Sequence, residues 1–368
     1  MRYTDEFDNN NSEQESMDIY SSYQDVSSSS NSPEHSKHSK KRRKRKGKSK
    51  ALKIAIIMLI CALVAVGGLW GYAFSVLNNV ERAPLEAENP EELNITTSEY
   101  EGIKNIALLG IDTRSDNTSG RSDAVLVLSV DKKHKKIKLI SIARDSYVAI
   151  DGHGKDKLTH AYAYGKSTLA VKTLNKNFDL EITDYVTVNF FEFSRIIDYI
   201  GGVEIEVDQK EKDHINNYLI PKLKKTGLVC ERIAGTGKQH LTGTQALCYA
   251  RIRKIDGDIE RGNRQKEVLT AMFDKVKDMS VTKLPKVAEM VLSECQTSLS
   301  TNDIMGLGLW AISASPEIEN ISIPNKNISS KGQTIGGVWY YVYDIDAAKD
   351  EIKKFILETE NNTEIELK

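Results

Sequence analysis

Apolar and polar positions divide this chain into three unlike stretches. Residues 1–36 are rich in Ser, Asn, Asp and Glu and almost free of large apolar side chains, with "SSSSNSPEHS" a low-complexity core. Such a segment buries too little apolar surface to offset the entropy of ordering, so disorder is expected. Ile54 to Phe74, "IAIIMLICALVAVGGLWGYAF", then runs 21 residues without a charge. At about 1.5 Å per residue that spans a bilayer core of about 30 Å. Trp70 and Tyr72 near its outer end suit an interfacial aromatic belt. Beyond residue 78 a polar segment with two prolines, "NNVERAPLEAENPEELNITTSEYEG", gives way to short apolar runs separated by amphipathic stretches.

Those runs predict the elements. "KNIALLGID", "SDAVLVLSVD" and "KIKLISIARD" are strands, the last two joined by the charged turn "DKKHKK" as an antiparallel pair. "HAYAYGKSTLAVKTLNKNF" has helical character, "DYVTVNF" reads as a strand, "FEFSRIIDYIGG" as a helix closed by glycines, and "VEIEV" as a strand. Residues 208–240 read as a lysine-rich irregular excursion. "LTGTQALCYAR" is a short helix with Thr242 as N-cap, and "DIERGNRQKEVLTAMFDKVKDM" a longer amphipathic one. Two further helical stretches, one or two strands and a last helix complete the chain. The strand runs are almost continuously apolar, so both faces are covered. The expectation is an α/β fold, a layered α-β-α sandwich around a mixed central sheet.

Charge sets the topology. The formal net charge of -1 hides a dense basic run, "KHSKKRRKRKGKSKALK", just before the uncharged stretch. Alone that run would suit nucleic acid. Its position makes it a determinant of orientation instead, with affinity for anionic lipid. No nucleic-acid partner is expected. A cleaved signal peptide is disfavoured by the long leader and the length of the apolar stretch. The expected organisation is a disordered cytoplasmic tail over 1–50, a single transmembrane helix over 51–77, an extracellular stalk over 78–100 and a folded domain outside the membrane. Of the four cysteines, Cys61 falls in the apolar stretch. Cys230, Cys248 and Cys295 match no metal spacing and read mainly as small buried residues, with a Cys230–Cys248 bridge left open.

The polar residues then fall in a pattern. Asp112 and Arg114 follow the first strand, Arg121 and Asp123 precede the second, and Arg144 and Asp145 follow the third. Arg251 and Arg253 leave the short helix. Asp258, Arg261 and Gln265 share one face at the start of the long helix, whose N-terminus favours anions. Ligands of layered α/β folds sit at such strand ends and helix starts. Arginine's planar fork matches phosphate, and a diphosphate offers acceptors for several. Aspartates among arginines suggest Mg²⁺ or Mn²⁺, with Asp112 and Asp123 the candidates. The competing account is a surface ion-pair network, particularly for Asp258, Arg261 and Arg264, with Arg264 facing solvent. Lys157 and His160 in "KLTHAYAYG" are weaker signals, and His160 reads first as a satisfied residue at a helix start.

"LLGIDTR…GRSDAVLVLSVD…IKLISIARDSYV…KLTHAYAYG" with "GKQHLTGTQALCYARIRKIDGDIERGNRQKEVL" closely resembles the LytR-CpsA-Psr family of bacterial envelope proteins, from about Asn105 to Leu269. The resemblance implies a catalytic domain over 101–280, with 281–368 packing on it as a C-terminal extension. It implies a Gram-positive-type envelope enzyme, a metal-dependent phosphotransferase. The enzyme would move a glycopolymer (wall teichoic acid, capsule or a related polysaccharide) from an undecaprenyl-diphosphate carrier to N-acetylmuramic acid of peptidoglycan. Asp112 and Asp123 would then bind metal. Arg121, Arg144, Arg251, Arg253 and Arg261 would hold the diphosphate, with Gln265 on phosphate and Lys157 beside the lipid phosphate. Asp258, chosen over Asp256 on helical spacing, would orient the arginines. The lipid would lie in an apolar tunnel between sheet and helices. Either Asp123 or Asp145 could accept the acceptor's proton. Two alternatives stand beside the transferase. One is a non-enzymatic polyprenyl-phosphate-binding regulator of the transcriptional attenuator type, and the other is a diphosphatase using water. No motif reports which glycopolymer is carried.

Overall fold

The computed structural model describes residues 82–96, 98–112, 120–280 and 282–358, with Met58, Gly71, Phe74 and Ser75 besides. The expected tail, basic run and nearly all of the expected membrane helix lie outside the described residues. Among the described residues no helix is long and apolar enough to cross a membrane.

Three strands, β1 (Ile103–Ile111), β2 (Ser122–Asp131) and β3 (Lys136–Ile142), pair as an antiparallel meander. The hairpin β4 (Tyr147–Ile150) and β5 (Gly154–Lys157) leads into α1 (Leu158–Phe178). Next come β6 (Asp184–Asn189), α2 (Phe190–Tyr199), β7 (Val203–Val207), α3 (Gln209–His214), a π-helical turn (Ile215–Leu219), α4 (Ile220–Lys224) and β8 (Gly237–Leu241). The chain continues through α5 (Gly243–Ala250), α6 (Asp258–Lys277), α7 (Leu284–Leu292), β9 (Gln296–Thr297) and α8 (Thr301–Ala314). It closes with β10 (Glu317–Ile323), β11 (Ser330–Ile335), β12 (Val338–Tyr343) and α9 (Ile345–Leu357).

The central sheet has the order β10-β3-β2-β1-β6-β9 and is mixed: β1–β6 and β10–β3 are parallel, the other pairs antiparallel. Strand alternation sends Ala107, Leu109, Val125, Val127, Ile140 and Ile142 to one face. There they pack with Ala161 and Leu174 of α1 and with Ala348, Ile352 and Ile356 of α9. The intervening Leu108, Gly110, Ala124 and Leu126 face the second layer. That layer, α2, α5 and α6 with the β7–β8 pair, has its own core of Ile197, Val203, Val207, Leu241, Leu247, Ile252 and Val268. Lys138, fully buried, donates to the carbonyls of Phe355 and Ile356 at 2.8 Å each, satisfying the C-terminal end of α9.

Several expectations change. From Arg82 onward the expected stalk is docked: Leu93 and Tyr100 are buried in the core, and Ala83 donates its N–H to the Thr297 carbonyl at 3.1 Å. The 208–240 excursion contains α3, the π turn and α4, with Ile215, Ile220 and Leu223 buried. β7 lies outside the central sheet and pairs with β8. The C-terminal part contributes three strands where one or two were expected, and β10 extends the central sheet. Cys230, Cys248 and Cys295 are free thiols, the first two buried, so the Cys230–Cys248 bridge is absent.

Candidate active site

Local rules put the charged residues at one mouth. Asp123 stands at the start of β2, and Arg144 and Asp145 follow β3. Thr242 starts α5 by donating its N–H to Gln245 Oε1 at 3.0 Å, and Arg251 leaves the end of that helix. Gly257, with φ of 101°, turns the chain into α6. Gly262 lets α6 lie close on β3, since a Cβ there would fall 2.5 Å from Ser141 Oγ. The first turn of α6 is thereby held against the strand ends.

The resulting network is continuous. Arg144 Nη1 donates to Asp123 Oδ1 at 2.5 Å. Asp145 Oδ1 lies 2.9 Å from Lys157 Nζ, and its Oδ2 lies 3.3 Å from Arg253 Nη2. Asp258 reaches Arg253 at 2.6 Å and Arg261 at 2.9 Å, and Arg261 donates to the Asp123 carbonyl at 3.2 Å. Four cations thus meet three carboxylates, and Arg251 adds a fifth cation with its guanidinium 4.3 Å from the Phe190 ring centroid. Pairing is incomplete. Arg144 Nε and Arg261 Nε are buried with no hydrogen-bond partner, and so is Asp258 Oδ1, which touches Arg261 without the alignment of a bond. Buried orphan donors mark a place for a missing acceptor.

Burial alone would raise the Asp145 pKa, but Lys157, Arg144 and Arg253 outweigh it and hold the carboxyl below the usual range. Burial acts the other way on Arg261, drawing its guanidinium down to about 10, with Asp258 opposing and Arg144 adding to the fall.

Two connected spaces open from the network. A cavity of about 490 Å³ is lined by Asp112, Asp123, Arg251, Arg253, Arg261 and Gln265, and by residues of the π turn and α4 on its far side. An apolar cavity of about 230 Å³ lies between the second face of the sheet, at Leu108, Leu126 and Val188, and the helices, at Phe193, Leu269 and Met272. Phe190, Leu247, Ala250, Arg251 and Gln265 line both. Gln265 donates to the Ala250 carbonyl at 3.5 Å at this junction.

Not every expected residue joins them. Arg121 is exposed and does not itself line the cavity, although its carbonyl accepts from the N–H of the cavity residue Asp112 at 3.1 Å. Arg114 lies outside the described residues. Lys157 belongs to the network through Asp145. His160 is satisfied by Asp156 at 2.8 Å. The solvent-facing position expected for Arg264 is overturned: it is buried, 2.7 Å from Glu211 and paired with Asp256. Sequence reasoning missed Phe190 beneath Arg251, which is 61 residues away and carries no motif.

For a divalent ion the donor set fits. Among the described residues no three His, Cys, Asp or Glu side chains converge. Asp112 and Asp123 both line the cavity, and Mg²⁺ ordinarily takes one or two carboxylates with phosphate oxygens and water.

The family model described as the LytR_cpsA_psr family matches residues 71–355. The chain belongs to that family. It is 33% identical over 289 residues, 76% of this chain and 85% of the relative, to the polyisoprenyl-teichoic acid–peptidoglycan teichoic acid transferase TagT of Bacillus subtilis (strain 168). A solved structure of TagT bound to LIIa-WTA superposes with a TM-score of 0.59 at 30% identity, covering 75% of this chain and 98% of that one. The LytR-CPS2A-psr family protein YwtF (TagT) with bound octaprenyl pyrophosphate lipid gives 0.56 at 30% identity, with the same coverage.

Proposed function

We propose that this family member is a transferase that moves a teichoic-acid-type glycopolymer from a polyisoprenyl-diphosphate carrier to peptidoglycan. The observation that carries this is the junction of an arginine-rich mouth with an apolar cavity at Arg251 and Gln265. A lipid diphosphate needs those two environments side by side, and a water-soluble phosphate needs only the first. The transferase TagT and the TagT structures with lipid-linked ligands support the same reading.

The chemistry follows from the residues. The prenyl chain lies in the apolar cavity and the diphosphate at the mouth, held by Arg144, Arg251, Arg253 and Arg261 with Gln265. The primary hydroxyl of a muramic acid residue attacks the polymer-side phosphorus. Its new P–O bond replaces the bond to the lipid phosphate, which leaves as polyisoprenyl monophosphate, and the product is a phosphodiester. Positioning and charge neutralisation supply the catalysis. Asp258 orients Arg253 and Arg261.

The acceptor proton goes to Asp123 or Asp145 in this reading, each already paired with a cation, Asp123 with Arg144 at 2.5 Å. Asp145 is buried, shared among three cations and held in its weakly basic ionised form. Asp123 lines the open cavity. Mg²⁺ or Mn²⁺ held by Asp112 and Asp123 would neutralise charge on the diphosphate when bound. The basic run and the 21-residue apolar stretch support a single-pass anchor with the domain outside the membrane.

The test uses the full chain in detergent with a polyprenyl-diphosphate-linked oligosaccharide, peptidoglycan and Mg²⁺. Mass spectrometry should find the sugar joined to muramic acid through a phosphodiester. Free sugar phosphate in its place would establish a diphosphatase, and lipid binding without turnover the regulator.

A further inference from the structure

The larger cavity has a second wall that the chemistry above does not use. His214, Tyr218, Lys222 and Lys225 follow one another at intervals of four, four and three residues along α3, the π turn and α4. That spacing puts them on one side of the helical run, and all four line the cavity. The π turn closes with the Ile220 N–H on the Ile215 carbonyl, one residue further back than in an α-helix, an irregularity that recurs at functional sites. His214 and Tyr218 stack with ring centroids 5.0 Å apart. Lys254, which follows Arg253, lines the same cavity with its Nζ 4.4 Å from the Tyr218 ring centroid.

Exposed lysines on a surface helix need no ligand, but these line a cavity and are not neutralised. Among the lining residues six Lys and Arg side chains meet two carboxylates, Asp112 and Asp123. Lys222, Lys225 and Lys254 pair with no carboxylate among the described residues. Burial, Lys254 and Arg264 draw the His214 pKa down, so its ring adds an aromatic face and no charge at neutral pH. The arginines hold the carrier diphosphate, and the prenyl chain leaves past Phe190 and Gln265 into the smaller cavity. A space of about 490 Å³ is of the size that takes a drug-sized ligand, so a diphosphate leaves much of it open. Whatever is esterified to the second phosphate fills the remainder. Lysine's point charge on a flexible stem suits a phosphate that arrives in varied orientations, as arginine's fork suits a fixed one. The Tyr218 ring offers an apolar face to a sugar. The acceptor glycan carries no phosphate.

We propose that Tyr218, Lys222, Lys225 and Lys254 form a second anion subsite, which takes the polymer phosphodiester nearest the carrier and so favours anionic over neutral glycopolymers. The assignment of that anion to the donor rests on the transferase reading above.

The experiment measures displacement of a fluorescent octaprenyl diphosphate from the full chain in detergent, a readout confined to the site that holds the lipid. The competitors are octaprenyl diphosphate carrying a neutral disaccharide and the same compound extended by one glycerol phosphate. Wild type should prefer the phosphate-bearing competitor about tenfold, the worth of one charge-assisted hydrogen bond. The triple variant Lys222→Gln, Lys225→Gln and Lys254→Gln should prefer neither while holding the labelled lipid as wild type does, and arginine at the three positions should restore the preference. Removing equal charge from the exposed β2–β3 turn, with Lys132→Gln, Lys133→Gln and Lys135→Gln, should leave the preference intact. No preference in wild type, a preference kept in the cavity variant, an equal loss in the turn variant, or loss of the labelled lipid from the cavity variant would each overturn the proposal. Both compounds are then offered as donors with peptidoglycan and Mg²⁺. Transfer of both by wild type without preference would keep the transferase and overturn the subsite. A preference lost in the cavity variant, in a protein that joins neither donor to peptidoglycan, would keep the subsite and overturn the transferase. Wild type that does not hold the labelled lipid would overturn both.

Discussion

Two arginine clusters built from one short stretch of chain behave differently. Arg253 and Arg261 line the cavity and pair with Asp258, while Arg264, interleaved with them, is buried between Glu211 and the surface carboxylate of Asp256. The inner cluster is saturated: one guanidinium meets two carboxylates and the Ile252 carbonyl at 3.4 Å. The outer cluster carries more cations than carboxylates and leaves Arg144 Nε and Arg261 Nε without a hydrogen bond, Arg144 Nε standing 3.5 Å from Asp145 Oδ2. The same residue types thus hold the fold in one place and, in the function proposed above, receive an anion in the other. Completeness of pairing, not arginine density, separates the two.

Breaking the inner cluster should have the largest effect on folding. Arg264→Ala strands the buried Glu211, and urea unfolding should show a loss of about 3–5 kcal/mol. Octaprenyl diphosphate binding by the folded fraction should be unchanged. Breaking the outer cluster should reverse the pattern. Arg253→Ala should lower the transfer rate about 10²–10³-fold, while its unfolding midpoint shifts by less than about 1 kcal/mol because that side chain is partly exposed.

Lys266, on the same helix as Arg261 and Arg264, sharpens the comparison. It is buried with Ser322 Oγ as its neutral partner at 2.8 Å, and burial pushes its pKa down to about 8. A lysine whose folded value lies below its unfolded value of about 10.4 opposes folding at neutral pH. That cost is relieved as pH rises between the two values, because the unfolded state then binds more protons. Lys266→Met should therefore be more stable than wild type by about 1–3 kcal/mol at pH 7. The gap should narrow as pH climbs from 8 toward 10, read from paired urea melts.

What the sequence disclosed follows the same division. Continuous apolar runs marked β1, β2, β3 and β6, and the i, i+3, i+7 spacing put Asp258, Arg261 and Gln265 on one helix face. β11, "SKGQTI", and β5, "GKDK", are short and exposed, so no apolar alternation announced them. The docking of residues 82–100 depends on distant contacts such as Arg82 with the Leu299 carbonyl at 2.5 Å, which local composition does not encode. At the site, the same limit decided Arg264. Its burial is set by Glu211, 53 residues earlier, in the segment whose sequence reads as a lysine-rich irregular excursion. Arg253 and Arg264 look alike in sequence, and only the long-range partners tell them apart.

The most direct test of the central claim is transfer by the full chain and its Arg253→Ala and Arg264→Met variants, with lipid-linked oligosaccharide, peptidoglycan and Mg²⁺. Rates are normalised to folded protein. The account predicts phosphodiester-linked product from wild type and Arg264→Met, and almost none from Arg253→Ala. Equal activity in both variants, or equal loss in both, would contradict it: the cavity arginines would then be no different from the buried one.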